Sequence, residues 1–99
     1  MTAHVIVIAK PDPGKAAGAK KYAESVQPLL KAAGVAPKLK GPIVETLAGK
    51  SSPATALVLE FPDHAAAKAF FEQEAYQDLI PLRDDSFLHM EIHILGPSA

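Results

Sequence analysis

The chain contains no cysteine. Disulfide frameworks, thiolate nucleophiles and zinc or iron–sulfur centres held by cysteine are therefore excluded. No apolar run approaches the ~20 residues of a membrane span, and the N-terminus lacks the basic-then-apolar layout of a signal peptide. A cytoplasmic protein with no membrane partner is the expectation. An excess of either charge is missing too: the net charge is −1 with 21% charged residues, and the ten basic residues do not gather among aromatics. No nucleic-acid partner is expected from such a surface. No segment repeats at a solenoid period. A chain of 99 residues buries about two-thirds of its unfolded surface, enough for one core but not two. Residues 1–99 are thus expected to be a single domain.

Against these absences stands a clear succession of elements. Val5–Ala9 is a short apolar run rich in β-branched residues and closed by Lys10-Pro11, as a central strand would be. Asp12 then caps a helix with Pro13 in its first turn, where a missing N–H costs nothing. Ala19, Tyr22, Ala23, Val26, Leu30 and Ala33 recur at helical spacing, and Gly34 supplies the left-handed stop. Pro28 inside this helix should remove one hydrogen bond and bend it. Gly14 and Gly18 lack the Gly-Lys-Ser/Thr ending of a phosphate loop. Leu39–Leu47 reads as a second strand, with Gly41-Pro42 marking a bulge that suits an edge position. Ala48–Pro53 reads as a turn, and Ser51 and Ser52 within it have no histidine signature of a serine hydrolase.

Thr55–Phe61 is a third strand, apolar until Glu60. Pro62 stops it, and Asp63 caps a helix carrying Ala66, Ala67, Phe70 and Phe71 on one stripe. Tyr76, Leu79 and Ile80 extend that apolar surface after a break, and Pro81 is expected to limit the second helical turn before Leu82 and Arg83. Phe87–Leu95 alternates and forms the last strand. The order β-α-β-β-α-β is the split unit of the ferredoxin-like fold, an α+β class with a four-stranded antiparallel sheet. Its two central strands would be the first and third, the pair that is apolar on both faces. Two helices cover only one face of such a sheet. The other would expose Ile6, Ile8, Val58 and Val44, a patch that a second copy would cover in a homodimer.

Two segments carry a family resemblance. Phe61-Pro62-Asp63, the following alanines, Phe70-Phe71, Tyr76-Gln77 and Pro81-Leu82-Arg83 form one. Lys40-Gly41-Pro42-Ile43-Val44-Glu45-Thr46-Leu47-Ala48-Gly49 forms the other, similar to an Arg-Gly-Gly-x-Val-Glu-x-Leu-x-Gly strand. Together they resemble the bacterial family called domain of unknown function 1330, in the dimeric α+β barrel superfamily. Lys40 stands where that family has Arg, Pro42 where it has Gly, Phe70-Phe71 where it has Trp-Tyr, and Leu95-Gly96 where it closes with Glu-Gly. The resemblance implies a dimeric barrel. In that superfamily, clefts serve cofactor-free oxygenation, isomerisation and lyase chemistry on aromatic or carbonyl compounds.

Residues able to carry chemistry fall in three groups. Strand alternation puts His89, Glu91 and His93 on one face of the last strand and Leu88, Met90, Ile92 and Ile94 on the other. At ~3.4 Å per residue the two histidines are ~14 Å apart, so adjacent pairs can hydrogen-bond but all three cannot hold one ion. The row reads either as a polar edge, as general acid/base groups, or as ligands of a metal shared by a neighbouring pair. Glu60 interrupts an apolar strand and is a candidate acid or base, or the partner of a lysine. Arg83 offers a planar fork for a carboxylate, Tyr76 an apolar body with a polar tip, and Phe70 a wall. The expected site is a cleft between the sheet and the second helix, binding or converting a small, partly apolar anionic or carbonyl molecule. His89 or His93 would accept a proton and Arg83 would position the anion. No metal or tightly bound cofactor is expected. The alternative is a non-catalytic ligand-binding or stress-related module.

Overall fold

Backbone pairing follows the apolar runs. In the computed structural model, which describes residues 2–49 and 54–96, β1 (Ala3–Pro11), β2 (Pro37–Pro42), β3 (Thr55–Phe61) and β4 (Phe87–Leu95) form an antiparallel sheet in the order β2-β3-β1-β4. The helices are α1 (Ala16–Ala32), α2 (His64–Glu72), α3 (Glu74–Gln77) and α4 (Ile80–Ser86). This is the ferredoxin-like arrangement, with its second helix divided into three pieces. As the two-sided apolar pattern requires, β1 and β3 are central.

Register separates the two faces of the sheet. Val5, Leu59 and Phe61 join Tyr22, Leu30, Val35, Ala67, Phe70 and Tyr76 in the buried core, flanked by Val7, Leu57, Met90, Ile92 and Ile94. On the opposite face Ile6 pairs with Val58 on one side and His93 on the other, while Ile8 pairs with Ala56 and Glu91. No described helix covers that face.

The caps behave as their side-chain chemistry dictates. The Asp12 carboxylate accepts the Gly14 N–H at 2.9 Å and opens a short 3-10 turn, Pro13–Lys15, that feeds α1. α1 runs on through Pro28 to Ala32, and Gly34 at φ +72° ends it. At the start of α2 the Asp63 carboxylate accepts the Ala66 N–H at 2.7 Å.

Three expectations are corrected. β2 begins at Pro37 and stops at Pro42, which pairs with Thr55, the first residue of β3; one further bond, from the Ile43 N–H to the Ala54 carbonyl at 2.8 Å, follows it. Val44 is therefore not part of the open sheet face; it is 90% exposed in the following loop. Residues 50–53 of the expected turn lie outside the described residues. Pro81 does not limit a helix but sits in the first turn of α4, where its missing N–H has no intrahelical partner to lose. Leu88 does not face the helices. Lys10 pairs with His89 and Pro11 with Phe87, so Leu88 is the extra residue of a bulge and is 58% exposed. The Phe87 ring takes the inward place, 5.4 Å from Tyr22 between centroids.

α1 and α4 approach closely where α1 carries Gly18. A Cβ there would stand 2.3 Å from Ser86 Oγ, and Ser86 is 1% exposed, with little room to turn away. Its hydroxyl has no hydrogen-bond partner among the described residues. Gly18→Ala gains ~1 kcal/mol of helix propensity but overpacks this contact at ~1–3 kcal/mol. Chemical denaturation is expected to show a net loss of stability, and Gly18→Ala combined with Ser86→Ala to recover it. A single Gly18→Ala variant more stable than wild type would rule the close approach out.

Candidate functional site

The helical side of the sheet is not filled evenly. Beneath α2, the rings of Phe70, Phe71 and Tyr76 pack against one another, and Phe70 and Phe71 also against Phe61, with centroid separations of 5.0 Å for Phe70–Phe71 and 5.6 Å for Phe61–Phe70. α1 instead turns Ala19 and Ala23 toward the sheet. A cleft of about 370 Å³ remains there, walled by Val7 and Leu57 from the sheet, Val26 and Leu30 from α1, and Phe70 and Phe71 at one end. Among the described residues, the charged ones lining it are Lys20 and Lys40, and no carboxylate or imidazole does. This cleft lies under α1, with Phe70 and Phe71 of the second helix closing one end; a separate hollow lies where a cleft was expected, between Ile92 and Ile94 of the sheet and the second helical segment.

One polar chain leads away from this cleft. Tyr22, on the cleft wall, has its Oη 2.8 Å from Tyr76 Oη, and Arg83 Nη1 donates to Tyr76 Oη at 3.0 Å. The Arg83 guanidinium also lies 5.9 Å from the Tyr76 ring centroid, and its Nε donates to Asp84 at 3.1 Å. Tyr76 is placed by the break between α2 and α3. Gln73 Nε2 donates to the Phe70 carbonyl at 2.9 Å and Gln77 Nε2 to the Phe71 carbonyl at 2.6 Å. These bonds satisfy acceptors at the end of α2 and turn Tyr76 inward, where it is 1% exposed.

Burial, and then the hydrogen bond to Tyr76, pushes the Tyr22 phenol well above its ordinary range. For Arg83, partial burial opposes the charge, but the bonds to Tyr76 and Asp84 outweigh it and its pKa is raised. Arg83 and Tyr76 also border an outer hollow of about 330 Å³, together with Lys68, Gln77, Ile92 and Ile94.

The other expected residues sit on the open face. Glu60 accepts from His4 at 3.2 Å and stands 3.6 Å from Lys38 Nζ. Glu91 bridges two histidines, bonding His93 Nε2 at 2.9 Å and His89 through its other oxygen. These contacts with His93 and His89 hold the Glu91 carboxyl below its usual range. Among the described residues no group of three or more His, Asp or Glu side chains could hold a metal ion.

The six expected residues thus separate. Arg83, Tyr76 and Phe70 lie on the helical side, whereas His89, His93 and Glu60 lie on the opposite face of the sheet and line neither cavity. One residue of the site was not foreseen as such: Tyr22. The available signal was its hydroxyl on an otherwise apolar helix stripe, since a buried phenol takes a hydrogen-bond partner.

Fold and site together define a ferredoxin-like α+β protein with an apolar cleft on its helical side and a half-apolar open sheet face. Within that class the chain belongs to the family Domain of unknown function (DUF1330), whose model matches residues 4–95. Solved structures share the fold at low identity. A protein of unknown function from Rhodopseudomonas palustris is 16% identical with a TM-score of 0.79, over 99% of this chain and 83% of that one. A candidate antibiotic biosynthesis monooxygenase from Caulobacter crescentus is 14% identical with a TM-score of 0.69, over 99% and 91%. A dimeric protein of unknown function and ferredoxin-like fold from Bacteroides fragilis is 12% identical with a TM-score of 0.63, over 97% and 96%. No sequence among the curated proteins matches the chain. Among the described residues no helix is long and apolar enough to cross a membrane.

Proposed function

We propose that the protein is a homodimer that binds a small, largely apolar molecule bearing a carbonyl or carboxylate in the cleft between α1 and the sheet, without a tightly bound cofactor. The observation that carries this reading is the lining. About 370 Å³ of apolar-walled space has Lys20 and Lys40 as its charged residues, which suits an apolar body with an electron-rich end. Binding is favoured over conversion, because among the described residues a molecule held there would meet no carboxylate or imidazole to take a proton. The dimer is supported by Ile6, Ile8 and Val58 on the uncovered face and by the dimeric relative from Bacteroides fragilis. It leaves His89, His93 and Glu60 at or near that interface rather than at the ligand.

Benzoate and acetophenone serve as probes in ligand-detected NMR. Both are expected to bind the wild-type protein and to shift resonances of Val7, Leu57 and Met90. Ala23 is exposed and borders the cleft, so Ala23→Trp fills the mouth without disturbing the core and should weaken both probes roughly tenfold or more, ~1.4 kcal/mol. Equal binding to Ala23→Trp, or shifts confined to Lys68, Gln77 and Arg83, would move the site to the outer hollow.

A further inference from the structure

We infer that Tyr22 is the ligand-recognising donor of the cleft, its hydroxyl oriented by Tyr76 and Arg83 so that its proton is offered to a carbonyl oxygen of the bound molecule. This rests on the cleft being the binding site and specifies what that site selects.

The direction of each bond follows from counting protons. A guanidinium has donors and no acceptor, so in the 3.0 Å contact with Arg83 Nη1 the Tyr76 oxygen accepts. The 2.8 Å bond between the two phenols then has two possible directions. If Tyr22 donated to Tyr76, the proton of Tyr76 would be left over at a residue 1% exposed, whose hydroxyl meets Tyr22 and Arg83 and no further partner among the described residues. An unpaired buried donor is unfavourable. If Tyr76 donates to Tyr22, every bond in the chain is made and the surplus proton sits on Tyr22, the more open of the two at 9% exposed and the one that lines the cleft. The charge of Arg83 polarises the chain in the same direction, strengthening each successive donor.

The state of Tyr22 agrees with this role. Burial and the bond to Tyr76 keep its phenol protonated far above neutral pH, so it acts as a donor and not as a base. A site built around a donor rejects an analogue that lacks the acceptor, because the donor is then left unpaired against an apolar surface. The cleft should therefore separate a ketone from the hydrocarbon of the same shape.

Acetophenone and ethylbenzene, which differ by C=O against CH2, provide the test, with affinities from titration of cleft resonances. Tyr22→Phe is expected to weaken acetophenone by roughly tenfold, as loss of one such hydrogen bond would, and to leave ethylbenzene within about twofold. Tyr76→Phe removes the polarising chain from a residue that does not line the cleft. It should lower acetophenone affinity by a smaller factor, again sparing ethylbenzene; this variant gives the readout should Tyr22→Phe fold poorly. Equal weakening of both probes would reduce Tyr22 to a packing role, and no change in either would remove it from the site; both overturn the inference while leaving the cleft reading intact. If neither probe perturbs the cleft in wild type, the cleft reading itself fails and takes the inference with it.

Discussion

Wild-type protein at micromolar concentration is expected to sediment at about twice its 10.4 kDa chain mass, and Val58→Glu to yield monomer or insoluble protein. Val58 occupies the middle of the open face, in register with Ile6 on β1 and with Leu39 on β2. Leu39 is 70% exposed in the single chain. Apolar side chains on the two middle strands gain by facing a second copy, at ~25 cal/mol per Å² removed from water. A glutamate placed there carries an unpaired charge into the contact, at a cost of several kcal/mol. The substitution lies on the face away from the core, so the chain itself should still fold and the loss should appear in assembly. A wild-type protein that remains monomeric at that concentration would overturn the interface.

The second large effect is in the core. Phe70→Ala is expected to cost ~3–5 kcal/mol in denaturant unfolding, because Phe70 is 4% exposed and its ring meets those of Phe61, Phe71 and Tyr76. Asp63→Ala, which removes only the cap on the Ala66 N–H, should cost ~1 kcal/mol. The contrast is the test, since both residues belong to the start and inner face of the same helix. Losses of similar size would mean that the aromatic cluster is not the wedge holding α2 and α3 on the sheet.

Several features could be read directly from the chain because they depend on neighbours in sequence. Asp12 and Asp63 cap their own first turns, Gly34 ends its own helix, and the stretch 89–95 alternates by the pleat alone. The central places of β1 and β3 were legible for a related reason: a strand apolar on both faces has to be covered on both. Arg83 and Tyr76 were also legible as residues suited to a ligand. Their partnership with Tyr22 was not, since the two phenols are 54 positions apart and meet only when α1 and α3 pack side by side.

Two of the features that differed, Val44 and Leu88, share a cause. Val44 leaves the sheet because the ladder between β2 and β3 ends at Pro42 and Thr55; Leu88 turns outward because of the register between β4 and the end of β1. Local alternation is a property of one strand, whereas register is a property of two. In the same way the cleft follows from which helix presents alanines and which presents aromatics to a common sheet, a comparison between distant elements. The amino-acid sequence alone determined the elements, their order and the apolar faces, through propensity, capping and periodicity. Where strands stop, which face each candidate residue occupies, and the linking of Tyr22, Tyr76 and Arg83 arose only from packing, because non-local contacts set them.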